Sequence, residues 1–298
     1  MKKKIILIDG SFYLYRAYYA LPNLINTEGF PTGAIYGFIN MINKIIKNNL
    51  NNYIIIIFDS KGQSFRKKIF NNYKAKRIKM PNNLIIQIKP LYKIIQSMGY
   101  HVISIKNIEA DDIIGTIAIK AVKNNYFVSI FSSDKDIAQL VSNNINLINP
   151  INNSILGPNE IYDKYGVMPN MISDLLALQG DPIDNIPGVK GIGKKISIYL
   201  INNLGNLKYI YNNLKYVNKL NIKKIKYIKK CLLNNKKLAF LSHKLTKIKT
   251  NININLDFNN LHLYCKPDKK TLLNLIKKYE FKKLINNFEK ININHINI

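Results

Sequence analysis

Short apolar runs set between turn residues organise the first half of the chain. Ile5-Ile6-Leu7-Ile8, Tyr53 to Phe58 and Tyr126 to Phe131 read as strands, and His101–Ile105 and Ile145–Ile148 predict two more. Helical patterns fall between them: Phe12–Ala20, Ala34–Lys47, Leu84–Met98, and Asp111–Val122 with apolar Ile113, Ile114, Ile117, Ala118, Ala121 and Val122. Such alternation predicts an α/β fold on a parallel sheet. From near Tyr165 the strand signals thin out, and Met171–Leu178, Ile196–Asn203, Leu207–Leu214 and Ile222–Leu233 predict helices. A boundary near Gly166 thus separates an α/β domain, residues 1–165, from a helical domain, residues 166–298. The Asn-rich end after Glu289 is expected to fray, and no internal repeat is seen.

A chain of 298 residues is long enough for one large core or two smaller ones. No apolar stretch approaches a membrane span, and the Lys-rich start leads into a strand instead of a signal peptide. Cys231 and Cys265 are isolated, and His101, His243, His262 and His295 are scattered, so neither a disulfide framework nor a zinc site follows. A soluble, reducing, cytoplasmic setting is expected.

Charge changes the picture. Lys and Arg number 45 against 17 acids, a formal net charge of +28, which favours phosphate polymers as partners. Much of the Lys accompanies Ile, Asn and Tyr, all residues of AT-rich codons, so the total alone carries modest weight. Its distribution says more, because residues 185–256 hold sixteen Lys and no acid. Only Arg16, Arg66 and Arg77 are arginine, and in a Lys-biased chain a retained Arg reads either as a place for a planar, bidentate phosphate donor or as chance.

The scarce acids are concentrated. Nine of the seventeen are Asp9; Asp59; Glu109, Asp111 and Asp112; Asp134 and Asp136; and Asp181 and Asp184. Several follow strands, and an open parallel sheet gathers its carboxyl ends at the edge where such folds bind ligands. Carboxylates crowded there repel one another unless a divalent cation neutralises them. One at a time, these acids read as caps or turn residues. Together they predict metal, with Asp9, Asp59, Glu109 and Asp111 suiting one ion and Asp134, Asp136 and Asp181 another. Asp112 and Asp184 could join either.

Two further segments point to nucleic acid. Ile186-Pro187-Gly188-Val189-Lys190-Gly191-Ile192-Gly193-Lys194-Lys195 nearly spells a P-loop, but Lys195 replaces the metal-binding hydroxyl and Pro187 replaces a buried strand. It reads better as a helix-hairpin-helix turn, over about residues 186–203, whose amides grip a backbone phosphate. A basic arch segment, about 61–83, interleaves Phe65, Phe70 and Tyr73 with Arg66, Lys74, Lys76 and Arg77. Rings there can stack on unpaired bases while cations meet the backbone. The run Lys223, Lys224, Lys226, Lys229 and Lys230 reads as an exposed helix face.

Taken in order, these motifs resemble the 5′ nuclease (flap endonuclease) family, and closely the 5′→3′ exonuclease domain at the N-terminus of bacterial DNA polymerase I. The matching stretches are Leu7-Ile8-Asp9-Gly10-Ser11, Tyr15-Arg16-Ala17, Phe58-Asp59, Phe65-Arg66, Tyr73-Lys74 with Arg77, Glu109-Ala110-Asp111-Asp112, Ser133-Asp134-Lys135-Asp136, Gly180-Asp181, Asp184 to Val189, and Lys278-Tyr279-Glu280-Phe281. The resemblance spans essentially the whole chain. It implies a PIN-like nuclease domain followed by a helical, helix-hairpin-helix-type domain. It also implies that the nine acids bind two Mg²⁺ or Mn²⁺ ions for phosphodiester hydrolysis. Lys74, Arg77 and Arg16 are carried over as catalytic contacts at the scissile phosphate. Arg66, Tyr73, Gly188, Gly191, Gly193, Lys194 and Lys195 are carried over as DNA contacts, with a monovalent cation such as K⁺ at the turn. The implied partners are DNA with 5′ flaps, nicks or free 5′ ends, RNA primers on DNA, and a separate DNA polymerase. A nucleoid-associated monomer is expected.

Three departures stand out. Pro182 and Ile183 occupy places where the family has small polar residues, Lys194 and Asn82-Asn83 replace common acids, and the sequence ends without a polymerase or proofreading segment, like a stand-alone nuclease. Two rival readings are a PIN-like metal-dependent ribonuclease and a DNA-binding module without catalysis.

Overall fold

The computed structural model describes residues 3–50, 52–258 and 266–281. In chain order the elements begin β1 (Lys4–Asp9), α1 (Gly10–Ala20), α2 (Gly33–Lys47), β2 (Tyr53–Ile57), α3 (Phe65–Ile69), α4 (Asn82–Ser97), β3 (His101–Ile103), α5 (Ala110–Lys123) and β4 (Phe127–Phe131). Then come β5 (Ile145–Ile148), β6 (Ile155–Leu156), α6 (Pro158–Tyr165), α7 (Ile172–Gln179), α8 (Lys194–Leu204), α9 (Leu207–Asn212), α10 (Leu214–Val217), α11 (Ile225–Asn234), α12 (Lys236–Thr246) and α13 (Lys269–Lys278). Short 3₁₀ turns occupy Asp136–Leu140 and Pro169–Met171. The sheet is mixed, with helices around it. No helix among the described residues is long and apolar enough to cross a membrane.

Contacts divide the chain into two compact units. The smaller comprises Lys3–Asp59, Lys79–Ser104 and the chain from Leu256. Its strands run β3-β2-β1, all parallel, with Ile5 opposite Tyr53 and Asp9 opposite Ile57. Ile5 to Ile8 and Ile54 to Ile57 are essentially inaccessible, which explains their unbroken apolar character: a parallel strand covered on both faces has no polar side. Phe58 packs between Phe38 and Tyr92, and a Cβ on Gly10 would lie 2.7 Å from its ring, so the chain turns from β1 into α1 only with glycine there. No side chain of α2 caps its own N-terminus. Gln87 of α4, 1% exposed, does so by accepting the Ala34 N–H at 2.9 Å and the Ile35 N–H at 3.2 Å.

The larger unit comprises Ser60–Ile78 and Ile105–Asn255. Here β4 and β5 are parallel, and β6 closes antiparallel on β5. Helices fill the rest of the unit, and α12 packs along α7. The predicted strands and the long helices fall within a few residues of their observed ends. Helices α3, α6, α12 and α13 and strand β6 had no counterpart in the pattern, and Leu207–Leu214 breaks into α9 and α10 at Asn213. In α12 the buried positions are Ala239, Ser242, Leu245 and Thr246, too polar a stripe to register as amphipathic. His262, Cys265, His295 and the end after Glu289 lie outside the described residues; Cys231 is a buried thiol.

Candidate active site

In the smaller unit Asp9 ends β1 and Asp59 lies two residues past β2, so adjacent parallel strands deliver both acids to one edge. Asp9 is buried and caps α1 by accepting the Phe12 N–H at 3.0 Å. Asp59 is exposed, and its N–H donates to Ser11 Oγ at 2.8 Å. The half-buried Arg16 lies on α1.

The remaining acids belong to the larger unit, in two linked groups. The first forms where α5 begins: Glu109 is its N-cap, and Asp111 and Asp112 sit in its first turn, where the helix dipole favours negative charge. Asp112 is 1% exposed, and Arg66 donates to both of its oxygens at 2.8 Å while the Lys249 N–H donates to Oδ1 at 2.8 Å. Arg66 also donates to the carbonyls of Leu245 and Lys247, and its NH1 faces Glu109 Oε1 at 3.4 Å. With 3% exposure and every guanidinium nitrogen engaged, Arg66 offers nothing to a phosphate. The expectation that it contacts DNA gives way to an internal strut joining α3, α5 and the 245–249 segment. Tyr73 is likewise only 4% exposed, its hydroxyl 3.0 Å from Glu109 Oε2, so it shapes the site from within. Lys74 Nζ reaches the same oxygen at 2.6 Å. Burial alone would raise the Glu109 pKa, but Lys74 and Arg66 outweigh it and bring it down to about 2. Burial lowers Lys74, yet Glu109, Tyr73 and Asp111 hold it well above its usual range, so it stays charged.

The second group surrounds Asp136. Asp134 and Asp136 follow β4 on a tight turn in which the Asp136 N–H donates to Asp134 Oδ1 at 2.8 Å. Asp181 and Asp184 flank a loop closed by reciprocal hydrogen bonds between Asp181 and Ile186, 2.9 and 2.8 Å long. Pro182 and Ile183 form the exposed tip of that loop, so these departures leave Asp181 (2% exposed) and Asp184 (5% exposed) facing inward. Arg77 Nε and NH2 donate to Asp184 Oδ1 at 2.9 and 2.6 Å, and the Lys74 N–H donates to the Asp184 carbonyl at 2.9 Å. The basic segment is thus pinned to the acid loop. Lys74 itself takes φ +53°, a left-handed conformation that this double attachment maintains. Lys135, absent from the predicted site, pairs with Asp181 at 2.8 Å; its position between two acids in Ser-Asp-Lys-Asp was the available signal.

The donor set suits a cation. Burial first, then the charges of Asp134, Asp184 and Asp181, push Asp136 up to about 8 despite the opposing Lys135. Its Oδ1 is buried without a hydrogen-bond partner among the described residues. A buried carboxyl in that position needs a proton or a metal ion, and an all-oxygen donor set matches a hard divalent ion. Among the described residues no three Asp, Glu, His or Cys side chains close into a finished coordination shell. Lys74, Arg77, Lys135 and Arg66 engage the carboxylates instead.

The segment from Ile186 to Gly193 is a turn that leads from the acid loop into α8. Gly188 is buried at φ +65°, and a Cβ there would lie 2.4 Å from the Gly180 nitrogen, so it shapes the turn and is not itself a contact surface. Its N–H donates to Ser242 Oγ at 3.0 Å. Gly191, Gly193, Lys194 and Lys195 are exposed where α8 begins, with free space around the Gly193 Cα. That places amides and two cations where a phosphate can reach them.

Residues 4–166 match the family described as 5'-3' exonuclease, N-terminal resolvase-like domain, and residues 167–270 match 5'-3' exonuclease, C-terminal SAM fold. The chain is 47% identical over 281 residues to the 5'-3' exonuclease of Buchnera aphidicola subsp. Schizaphis graminum, covering 94% of this chain and 98% of that one. It is 39% identical to DNA polymerase I of Pseudomonas aeruginosa, where the match covers 93% of this chain and 30% of the polymerase. In fold it is similar to T5 5'-exonuclease with bound zinc, at TM-score 0.69 and 20% identity over 83% of this chain and 90% of that one.

Proposed function

The chain belongs to the 5'-3' exonuclease family, and on that premise we propose that it is a metal-dependent, structure-selective 5′ nuclease. It removes nucleotides from free 5′ ends and cuts 5′ flaps, including RNA primers on DNA, during replication and repair. The carrying observation is the group formed by half-buried Asp134 and buried Asp136, Asp181 and Asp184, stitched to Lys74 and Arg77. Asp9, Asp59, Glu109 and Asp111 complete the proposed donor set. Asp112 serves as an anchor for Arg66, because its oxygens are already committed. Two Mg²⁺ or Mn²⁺ ions, when held there, would supply an activated water and neutralise charge developing on the phosphate.

The chain's own residues do the rest. Lys74 and Arg77, kept charged by Glu109 and Asp184, present cations to the phosphate oxygens. Arg16 adds a third from α1. Gly191, Gly193, Lys194 and Lys195 hold the duplex backbone, with a K⁺ ion as the proposed companion at the turn. Substrate choice then rests on the junction and the free 5′ end, not on base sequence. We assign the 1–165 segment to chemistry and the 166–298 segment to duplex grip. The proposed setting is a monomer at the nucleoid, working beside a separate polymerase.

Matched 5′-flap substrates of DNA and RNA, incubated with Mg²⁺ or EDTA, test this reading. Cleavage of the DNA flap that stops on chelation is expected. Product formed in EDTA excludes metal, cutting of the RNA strand alone favours a ribonuclease, and binding without any cutting favours a non-catalytic module. Within the same assay Lys74→Ala should lower kcat about 100-fold, some 2.7 kcal/mol of transition-state stabilisation, with flap affinity within about threefold of wild type. Equal losses in kcat and affinity would make Lys74 a mere anchor.

A further inference from the structure

The segment Lys278-Tyr279-Glu280-Phe281 takes no part in the carboxylate chemistry, yet it has a specific set of contacts. It begins at the last residue of α13 in the smaller unit and meets the connection between α1 and α2. That connection closes on itself: Ile25 bridges Pro31, the Asn26 N–H donates to the Phe30 carbonyl at 2.9 Å, and the Thr32 N–H donates to the Leu24 carbonyl at 2.8 Å. Asn26 is buried at its centre, with Oδ1 accepting the Phe30 N–H at 2.7 Å and Nδ2 donating to the Lys278 carbonyl at 3.4 Å.

Glu280 completes the fastening. Its Oε2 accepts the Thr27 N–H at 3.1 Å and its Oε1 accepts the Thr27 hydroxyl, so one carboxylate spans the main chain and side chain of one residue. Two ring pairs flank it: Tyr279 lies 5.2 Å from Phe30, and Phe281 lies 5.8 Å from Tyr36 of α2. Glu280 has φ +60°, a left-handed conformation that disfavours a residue carrying a Cβ. Tyr279 and Phe281, both buried, hold the backbone on either side of it in place.

The fastened connection controls α1. That helix is capped by Asp9 at one end, carries Arg16, and runs into the connection at Leu21. It also lies close against α2, since a Cβ on Gly37 would come within 3.0 Å of the Ala17 Cβ. A helix held at both ends keeps Arg16 in one place. We infer that Lys278–Phe281 is a clasp on the α1–α2 connection and that Glu280 is a positioning residue acting through α1 on Arg16. The clasp rests on the contacts alone; its kinetic consequence rests on the nuclease reading.

Hydrogen exchange and flap-cleavage kinetics of the full chain test both parts, using Glu280→Ala, Glu280→Gln, Thr27→Val and Arg16→Ala. Glu280→Ala should speed amide exchange in residues 24–32 about tenfold without moving exchange in β1 and β2. It should lower kcat roughly tenfold while KM changes less than about threefold, as a small misplacement of a catalytic cation would. Glu280→Gln keeps one acceptor for the Thr27 N–H and should recover much of the loss, and Thr27→Val should show a milder form of both effects. Added to Arg16→Ala, Glu280→Ala should cost nothing further. Unchanged exchange in 24–32 overturns the clasp. Raised exchange with wild-type kcat, or losses that multiply with Arg16→Ala, overturn the positioning role. A wild-type chain that cuts no flap defeats the nuclease reading and the positioning role with it, while the exchange data still decide the clasp.

Discussion

Asp134→Ala should reduce metal-dependent flap cleavage by a factor on the order of 10³–10⁴, equivalent to about 4–5.5 kcal/mol of transition-state stabilisation. Asp134 follows β4, accepts the Asp136 N–H, and lies close enough to Asp136 to raise its pKa. Alanine removes a donor oxygen and one of the charges that attract a cation. The fold should survive the change. The lost hydrogen bond costs about 1 kcal/mol, and the relief of like-charge repulsion at buried Asp136 offsets part of it. Tm without metal should therefore stay within a few degrees of wild type. The rise in Tm on adding Mg²⁺ should shrink, because binding to the folded state is what produces that rise. Asp163→Ala, at an exposed acid on α6, is the matched control and should cut normally. Cleavage by Asp134→Ala within about tenfold of wild type would remove Asp134 from the metal site and weaken the two-ion reading.

Arg66→Met should lower unfolding stability by about 3–5 kcal/mol, the usual loss when one partner of a buried ion pair is removed. The reason is asymmetric. Arg66 is flanked by Asp112 and Glu109, and without it two buried carboxylates face each other at the start of α5 with less compensation. The carbonyls of Leu245 and Lys247 also lose their donor. Urea denaturation would measure the loss directly. Arg66→Lys keeps the charge but not the fork, so it should fall between the two. Combining Arg66→Met with Asp112→Leu should be less damaging than Arg66→Met alone, since the stranded charge is gone. A loss below about 1 kcal/mol for Arg66→Met would mean that water reaches Asp112 and that the strut is dispensable.

The contrast between Arg66 and Lys74 shows where sequence reading reached its limit. Both stand in one basic segment among aromatic residues, and both looked like phosphate contacts. One is sealed against α5 and the other sits beside the acids with its charge maintained. Pro182 and Ile183, which seemed to threaten the second acid group, instead form a solvent-facing tip that leaves Asp181 and Asp184 inside. Lys278–Phe281 was visible as a motif, but nothing in its residues pointed to Thr27.

What the sequence determined by itself is local or repeated along the chain. The apolar runs specified buried strands because a two-sided parallel strand tolerates no polar face. The acids after those runs specified a charged edge because strand direction carries the carboxyl ends to one side. The turn glycines specified a tight turn ahead of α8 because Gly188 and Gly191 take positive φ. Tertiary structure alone decided which basic side chain is entombed and which is poised. Those choices depend on partners 46, 107 and 253 residues away for Arg66–Asp112, Arg77–Asp184 and Thr27–Glu280. Periodicity is a property of neighbours along the chain, and it carries no information about which distant segments will lie side by side once the core closes.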